Sequence, residues 1–140
     1  MISKFLSQYS EYATLLLRLV LGVTFLIHGG MKLFGGLEGT AKFFAMMHIE
    51  PAYPMAIVVG CLEFFGGLLV LLGLFTRIGA FMIVCVMSGA ILTVHVSHGF
   101  LTSNGGFEFP LALLVIALSL MLTGGGKGSV DKDIIKTEII

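Results

Sequence analysis

Apolar residues gather into four long stretches, at about 13–33, 52–74, 78–98 and 106–123. A transmembrane helix needs about 20 mostly apolar residues, so each stretch is expected to cross a membrane once. The breaks between them agree. Pro51 and Pro54 open the second stretch, and helices tolerate proline best in the first turn. Thr76-Arg77 is a very short link, which makes the second and third helices an antiparallel hairpin. Ser103-Asn104-Gly105-Gly106 interrupts the chain before the fourth, and Gly124-Gly125-Gly126 ends it. The pattern predicts an all-α membrane protein, an antiparallel bundle of four transmembrane helices in a single domain over 1–140. Residues 2–12 are expected to form a short interfacial helix with Phe5, Leu6 and Tyr9 on one side. The tail after Gly126 alternates charged and aliphatic residues and is expected to be exposed.

Composition sharpens this. The chain has 140 residues, 57% hydrophobic and 11% charged, with a mean hydropathy of +1.06. Soluble domains carry about 25% charged residues. The first stretch lacks a small-residue cleavage site and three more follow, so it is not expected to be a removed signal peptide. The formal net charge is zero, which gives no support to a nucleic-acid partner. Cys61 and Cys85 lie in apolar stretches without CxxC spacing and are expected to be buried small hydrophobes.

Lysine and arginine set the expected direction. With four crossings both termini share a side. That side holds Lys4, Arg18, Arg77, Lys127, Lys132 and Lys136, and the other holds only Lys32 and Lys42. Both termini are therefore expected to be cytoplasmic, with the loops 34–51 and 99–105 facing outward. Ionisable residues inside the spans cost roughly 2.5–3.5 kcal/mol each at the membrane centre. Here they are Arg18, His28, Lys32, Glu63, His95, His98 and Glu108. Helix direction places all of them except Arg18 between the midplane and the outer surface, with His28 and His95 roughly 7–10 Å outside the midplane.

Helical periodicity assigns faces. Arg18, Gly22, Phe25, Gly29 and Lys32 share a stripe on the first helix, with His28 beside it. Gly60, Glu63 and Gly67 share one on the second. Ser88, Leu92, His95 and Gly99 share one on the third. Glycines beside polar residues point to close helix packing. Glu63-Phe64 and Glu108-Phe109, each followed by an aliphatic run, repeat at an offset of 45 residues. Arg18 and Arg77 likewise open the two outward-running helices, as in a duplicated hairpin.

The polar layer admits several chemistries. A carboxyl near mid-membrane either pairs with a cation or is protonated, and Arg18, Lys32, His28 and His95 are the candidate partners of Glu63. One reading is a structural ion pair that fixes helix register. Another is a small-ligand or quinone-type site made by His28, Lys32, Glu63, His95 and Glu108, where such groups hydrogen-bond a ligand oxygen and exchange protons. Phe25, Phe64, Phe65 and Phe107 are candidate walls. A haem or metal on His28 and His95 is disfavoured, because no HxxxH or CxxCH pattern accompanies them. Gly124-Gly125-Gly126-Lys127-Gly128-Ser129 is not a phosphate-binding loop, which needs Lys followed directly by Ser or Thr. Met46-Met47-His48 is a weak copper motif.

Four pieces together resemble the DoxX family. Arg18-Leu19-Val20-Leu21-Gly22, Phe25, His28-Gly29 and Lys32-Leu33 resemble its opening signature. Glu63, Gly66-Gly67, Leu72-Gly73 and Thr76-Arg77 resemble its second-helix signature. Gly106-Phe107-Glu108 and the run from Gly124 to Asp131 resemble its fourth helix and glycine-rich exit. The resemblance covers nearly the whole chain. It implies a four-helix protein of the bacterial inner membrane, in a family with the small subunit of thiosulfate:quinone oxidoreductase and a membrane partner of enzymes in thiol and superoxide stress. It matches Arg18, His28, Lys32, Glu63 and Glu108 to the family's polar positions and assigns none of them a catalytic role. The expected function is a membrane component of a redox or oxidative-stress system, with a protein partner and the lipid bilayer as surroundings. A non-catalytic scaffold and a small transporter are the alternatives. Homo-oligomerisation and autonomous enzyme activity stay open, and no electron-transfer cofactor motif is present.

Overall fold

The computed structural model describes residues 2–136, with side chains from Phe5 onward. Lys4, counted above for orientation, and the end of the tail at 137–140 lie outside the described side chains. The described residues form helices and turns without a strand. The helices are α1 (Ile2–Ser7), α2 (Ala13–Met31), α3 (Leu37–Met46), α4 (Ala52–Leu72), α5 (Thr76–Ala90), α6 (Glu108–Thr123) and the short α7 (Val130–Asp133). Three helical segments, Ser10–Met46 with a kink at Phe34 and Gly35, Ala52–Leu72 and Thr76–His98, are long and apolar enough to cross a membrane. Helix α6 is as apolar but has only 16 residues. Leu16, Val20, Ile27, Phe65, Phe81 and Leu122 are each more than half exposed. An apolar exterior of this kind suits lipid rather than water.

Helix α4 packs against α2, α3 and α5, and α5 packs against α6. The α2–α4 contact depends on missing side chains. A Cβ on Gly67 would stand 2.4 Å from the Leu26 nitrogen, and one on Gly29 would stand 2.3 Å from the Phe64 nitrogen. The two backbones therefore touch, as small residues allow in membrane helices. Leu21, Phe25, Val70, Ala80, Ile83, Leu113, Ala117 and Leu120 form the main core across α2, α4, α5 and α6.

Helix α4 ends at Gly73, in the left-handed conformation (φ 67°) that glycine adopts without a Cβ clash. The Leu74 N–H donates to Leu69 O and the Gly73 N–H to Val70 O, which closes the helix as a Schellman motif. Two arginines then take equivalent parts. Arg18 on α2 donates to the Val70 and Leu71 carbonyls at the end of α4, both at 3.0 Å. Arg77 on α5 donates to the Met121 and Leu122 carbonyls at the end of α6, both at 3.0 Å. Each cation thus meets the negative end of the helix that returns beside its own. This matches the duplicated-hairpin pattern of the sequence.

Several expectations are corrected. The stretch 34–51 is not simply a loop. After a kink at Phe34 and Gly35 it forms α3, whose Ala41 and Phe44 pack on α4 with Ala56. The tail after Gly126 is not simply exposed. Ser129 and Asp131 are buried: Asp131 binds backbone groups at the α4–α5 turn, and the Ser129 hydroxyl caps α7 by accepting the Lys132 N–H. On the third span, Leu92 points outward at 71% exposure. A wide π-type turn at Ile91–His95 rotates the face that regular periodicity predicts. Cys85 is exposed and Cys61 half-buried, so neither is a core hydrophobe.

Candidate ligand cavity

The helices part at the end of the molecule away from the Gly73 turn, and a cavity of about 820 Å³ occupies the gap. Its size falls within the range of ligand pockets, roughly 300–1,000 Å³. Most of its wall is apolar, including Phe25, Phe44, Met55, Val59, Met87 and Leu113. Four threonines, Thr24, Thr40, Thr93 and Thr102, also line it, and its ionisable side chains come from separate elements: His28 on α2, Lys32 at the kink, Glu63 on α4 and His95 on the wide turn after α5. A mostly apolar concavity with few convergent polar groups is the usual form of a small-molecule site.

Glu63 is 4% exposed, and its carboxylate pairs with the Lys32 ammonium. The close α2–α4 packing brings the two together. The pair is asymmetric. The Lys32 side chain is 22% exposed and that of Glu63 only 5%, so the cation faces open space while the carboxylate sits behind it. His95 is oriented by its neighbours. Its Nδ1 lies 2.7 Å from the Gly105 carbonyl oxygen. A carbonyl oxygen only accepts, so Nδ1 carries the proton and the Nε2 of the neutral ring is an acceptor. His28 also lines the cavity, and its ring makes no hydrogen bond or ion pair among the described residues.

Four of the five residues singled out from sequence thus share one cavity. Glu108 does not line it, although its neighbours Phe109 and Pro110 do. As first residue of α6, Glu108 donates its backbone N–H to Phe100 O at 2.9 Å. His98 is exposed, and its Nδ1 donates to the Val94 carbonyl at 2.8 Å. Of the candidate phenylalanine walls only Phe25 lines the cavity. Phe64 instead stacks edge-on with Phe34 and Phe65, and Phe107 with Phe100. Sequence reasoning missed Thr40, Phe43 and Phe44, which reach the cavity from α3. The available signal was Ala41 and Phe44 at helical spacing inside a stretch taken for a loop. Among the described residues, no three of His, Cys, Asp and Glu come together as a metal-binding group.

At the opposite end lies a second polar cluster. Arg18 is 1% exposed. Besides the α4 carbonyls it donates to Gly125 O and Gly128 O, both at 3.1 Å. Its five fixed donors satisfy two helix-end carbonyls and two tail carbonyls at once. This cluster is architectural, since all four of these Arg18 hydrogen bonds are to backbone carbonyls.

Long apolar helices and a largely apolar cavity with a buried ion pair define a multi-pass membrane protein. The chain belongs to the DoxX family, whose model matches residues 13–96. It is 39% identical over 126 residues, 90% of either chain, to the protein named "Putative oxidoreductase CatD" of Bacillus subtilis (strain 168). It is 32% identical over 141 residues, 94% of this chain and 97% of the relative, to an uncharacterized protein of Haemophilus influenzae. No solved structure matches the chain.

Proposed function

We propose that this protein is a membrane component of a redox system and holds a quinone-type ligand in the cavity. The observation that carries the reading is the convergence of the Lys32–Glu63 pair and the His95 ring on one largely apolar space. The residues fit such a group. The Lys32 ammonium is a donor for a ligand carbonyl oxygen. The His95 Nε2 lone pair is an acceptor for a ligand hydroxyl, and His28 is free to donate or accept. Glu63 holds or releases a proton behind Lys32. Glu108 stands at the rim, beside the lining residue Phe109. A bound quinone supplies coupled electron and proton exchange, and the chain supplies binding, orientation and proton handling. The name of the Bacillus relative, an oxidoreductase, supports the redox reading.

The same reading takes 1–140 as one domain in which α2, α4, α5 and α6 cross the bacterial inner membrane as an antiparallel bundle. Both termini are cytoplasmic, in keeping with the basic residues gathered at their end. A protein partner delivers or removes electrons.

The test is Glu63→Gln in purified protein, with binding of a decyl-tailed benzoquinone as readout. Binding weakened by about tenfold or more supports the reading, and unchanged binding removes Glu63 from it. A Soret band in the purified protein would redirect the site to haem. The Arg18 cluster supports a second reading, since this chain also uses a buried charge purely for architecture. On that reading the protein is a scaffold without chemistry. It predicts a neutral Glu63→Gln change together with a stable partner in gently solubilised membranes.

A further inference from the structure

The cavity's exposed wall says how a ligand would reach it. Val58 on α4 is 48% exposed, and Cys85 and Gly89 on α5 are exposed, yet all three line the cavity. They lie within apolar helical spans, well away from the chain termini, so the surface they share with the exterior faces lipid. Like Gly39 on α3, Gly89 has open space where a Cβ would stand. A Cβ there would meet no heavy atom within 4 Å, whereas one on Gly67 or Gly29 would collide with the neighbouring backbone. Glycine weakens a helix interior relative to alanine, and close packing does not account for it at this position. What its missing side chain leaves is width beside the cavity.

We propose that the cavity opens sideways into the bilayer between α4 and α5. The ligand is a membrane-dissolved amphiphile whose polar head meets Lys32 and Glu63 and whose apolar tail lies in the cleft past Val58, Cys85 and Gly89. The assignment of the head rests on the quinone-type reading above, and the sideways opening does not. Gly89 sets the width of the cleft, so it discriminates tailed from tailless ligands.

Two measurements separate these parts. In the first, Cys61→Ala protein carries bimane on Cys85 and is reconstituted in phosphatidylcholine vesicles. Brominated acyl chains are expected to quench the label strongly and aqueous iodide weakly. The reverse order overturns the lateral opening and leaves the polar site untouched. In the second, detergent-solubilised protein is titrated with a decyl-tailed benzoquinone and with its tailless parent. Gly89→Leu is expected to weaken the tailed compound by about tenfold or more and the tailless one by less than about twofold. Gly89→Ala, which favours the helix and meets no neighbour, is expected to shift binding in the same direction by less. Equal loss for both compounds, or no loss for either, overturns the role of Gly89. A discriminating Gly89→Leu beside a neutral Glu63→Gln keeps the cleft and overturns the head assignment. Wild-type protein that binds neither compound overturns the ligand class.

Discussion

Asp131, in the tail, caps the helix that begins at Thr76. Its Oδ2 accepts the Thr76 backbone N–H and the Thr76 hydroxyl, both at 3.0 Å, and its Oδ1 accepts the Phe75 N–H at 2.8 Å. In return the Asp131 N–H donates to Gly73 O at 2.9 Å. Phe75 holds a left-handed conformation (φ 46°) and offers no capping side chain of its own. The cap therefore comes from 55 residues away, and it ties the tail to the α4–α5 turn.

Asp131→Ala is accordingly expected to lower stability by about 2–3 kcal/mol, since it strips buried N–H groups of a charged acceptor. Asp131→Asn keeps one acceptor oxygen and is expected to cost about half as much. Unfolding in a denaturing-detergent titration measures both. A loss below about 0.5 kcal/mol for Asp131→Ala would show that the tail does not hold the turn.

Arg18→Lys is expected to be far from conservative. An ammonium cannot reproduce a planar fork that reaches four carbonyls in three directions. The expected loss is about 2–4 kcal/mol in the same titration. Gly73→Ala tests the neighbour, because its Cβ would stand 2.5 Å from the Arg18 guanidinium carbon at a left-handed position. About 1–3 kcal/mol of destabilisation is expected there. Full tolerance of both changes would mean that this end is not closed by Arg18.

These clusters show where the sequence was informative. Regular periodicity on α2 and α4 put Arg18, Gly22, Phe25 and Gly29 on one face and Gly60, Glu63 and Gly67 on another, and all of them are buried. The pairing of Glu63 with Lys32 was among four open choices, and the glycine contact between the helices decides it. Periodicity fails where the helix does. The wide turn at Ile91–His95 sends Leu92 outward and aims His95 at the cavity. Helix α3 was hidden by Gly35, Gly36 and Gly39, which punctuate its start like a loop. The roles of Ser129 and Asp131 were not legible, because polar residues in a tail look solvated until their backbone partners are known. The cavity itself arises from helices parting, which no local pattern encodes.

The Lys32–Glu63 pair makes a third prediction, in the form of a double-mutant cycle. Lys32→Met leaves a nearly buried carboxylate without its cation, and Glu63→Gln leaves the lysine facing an apolar cavity. Each single change is expected to destabilise, and the double variant to lose less than the sum of the two. The expected coupling is about 1–3 kcal/mol, at the lower end because Lys32 is partly open to the cavity. Additive losses would mean that the pair contributes no coupling.

The last prediction concerns proton placement on the histidines. His95 and His98 each aim Nδ1 at a backbone carbonyl, Gly105 O at 2.7 Å and Val94 O at 2.8 Å. Both neutral rings must then carry the proton on Nδ1 and leave Nε2 as an acceptor. Nitrogen-15 spectra of histidine-labelled protein in detergent at neutral to mildly basic pH are expected to show the Nδ1–H tautomer for both. Of these two, His95 lines the cavity and His98 does not. Titration with the decyl-tailed benzoquinone is therefore expected to move the Nε2 resonance of His95 and leave that of His98 in place. An Nε2–H tautomer at His95 would remove the acceptor on which the ligand reading depends. Equal movement of both rings would point to a general change in the turn rather than to ligand contact. Single substitutions of each histidine by glutamine assign the two signals, so the outcome is read residue by residue.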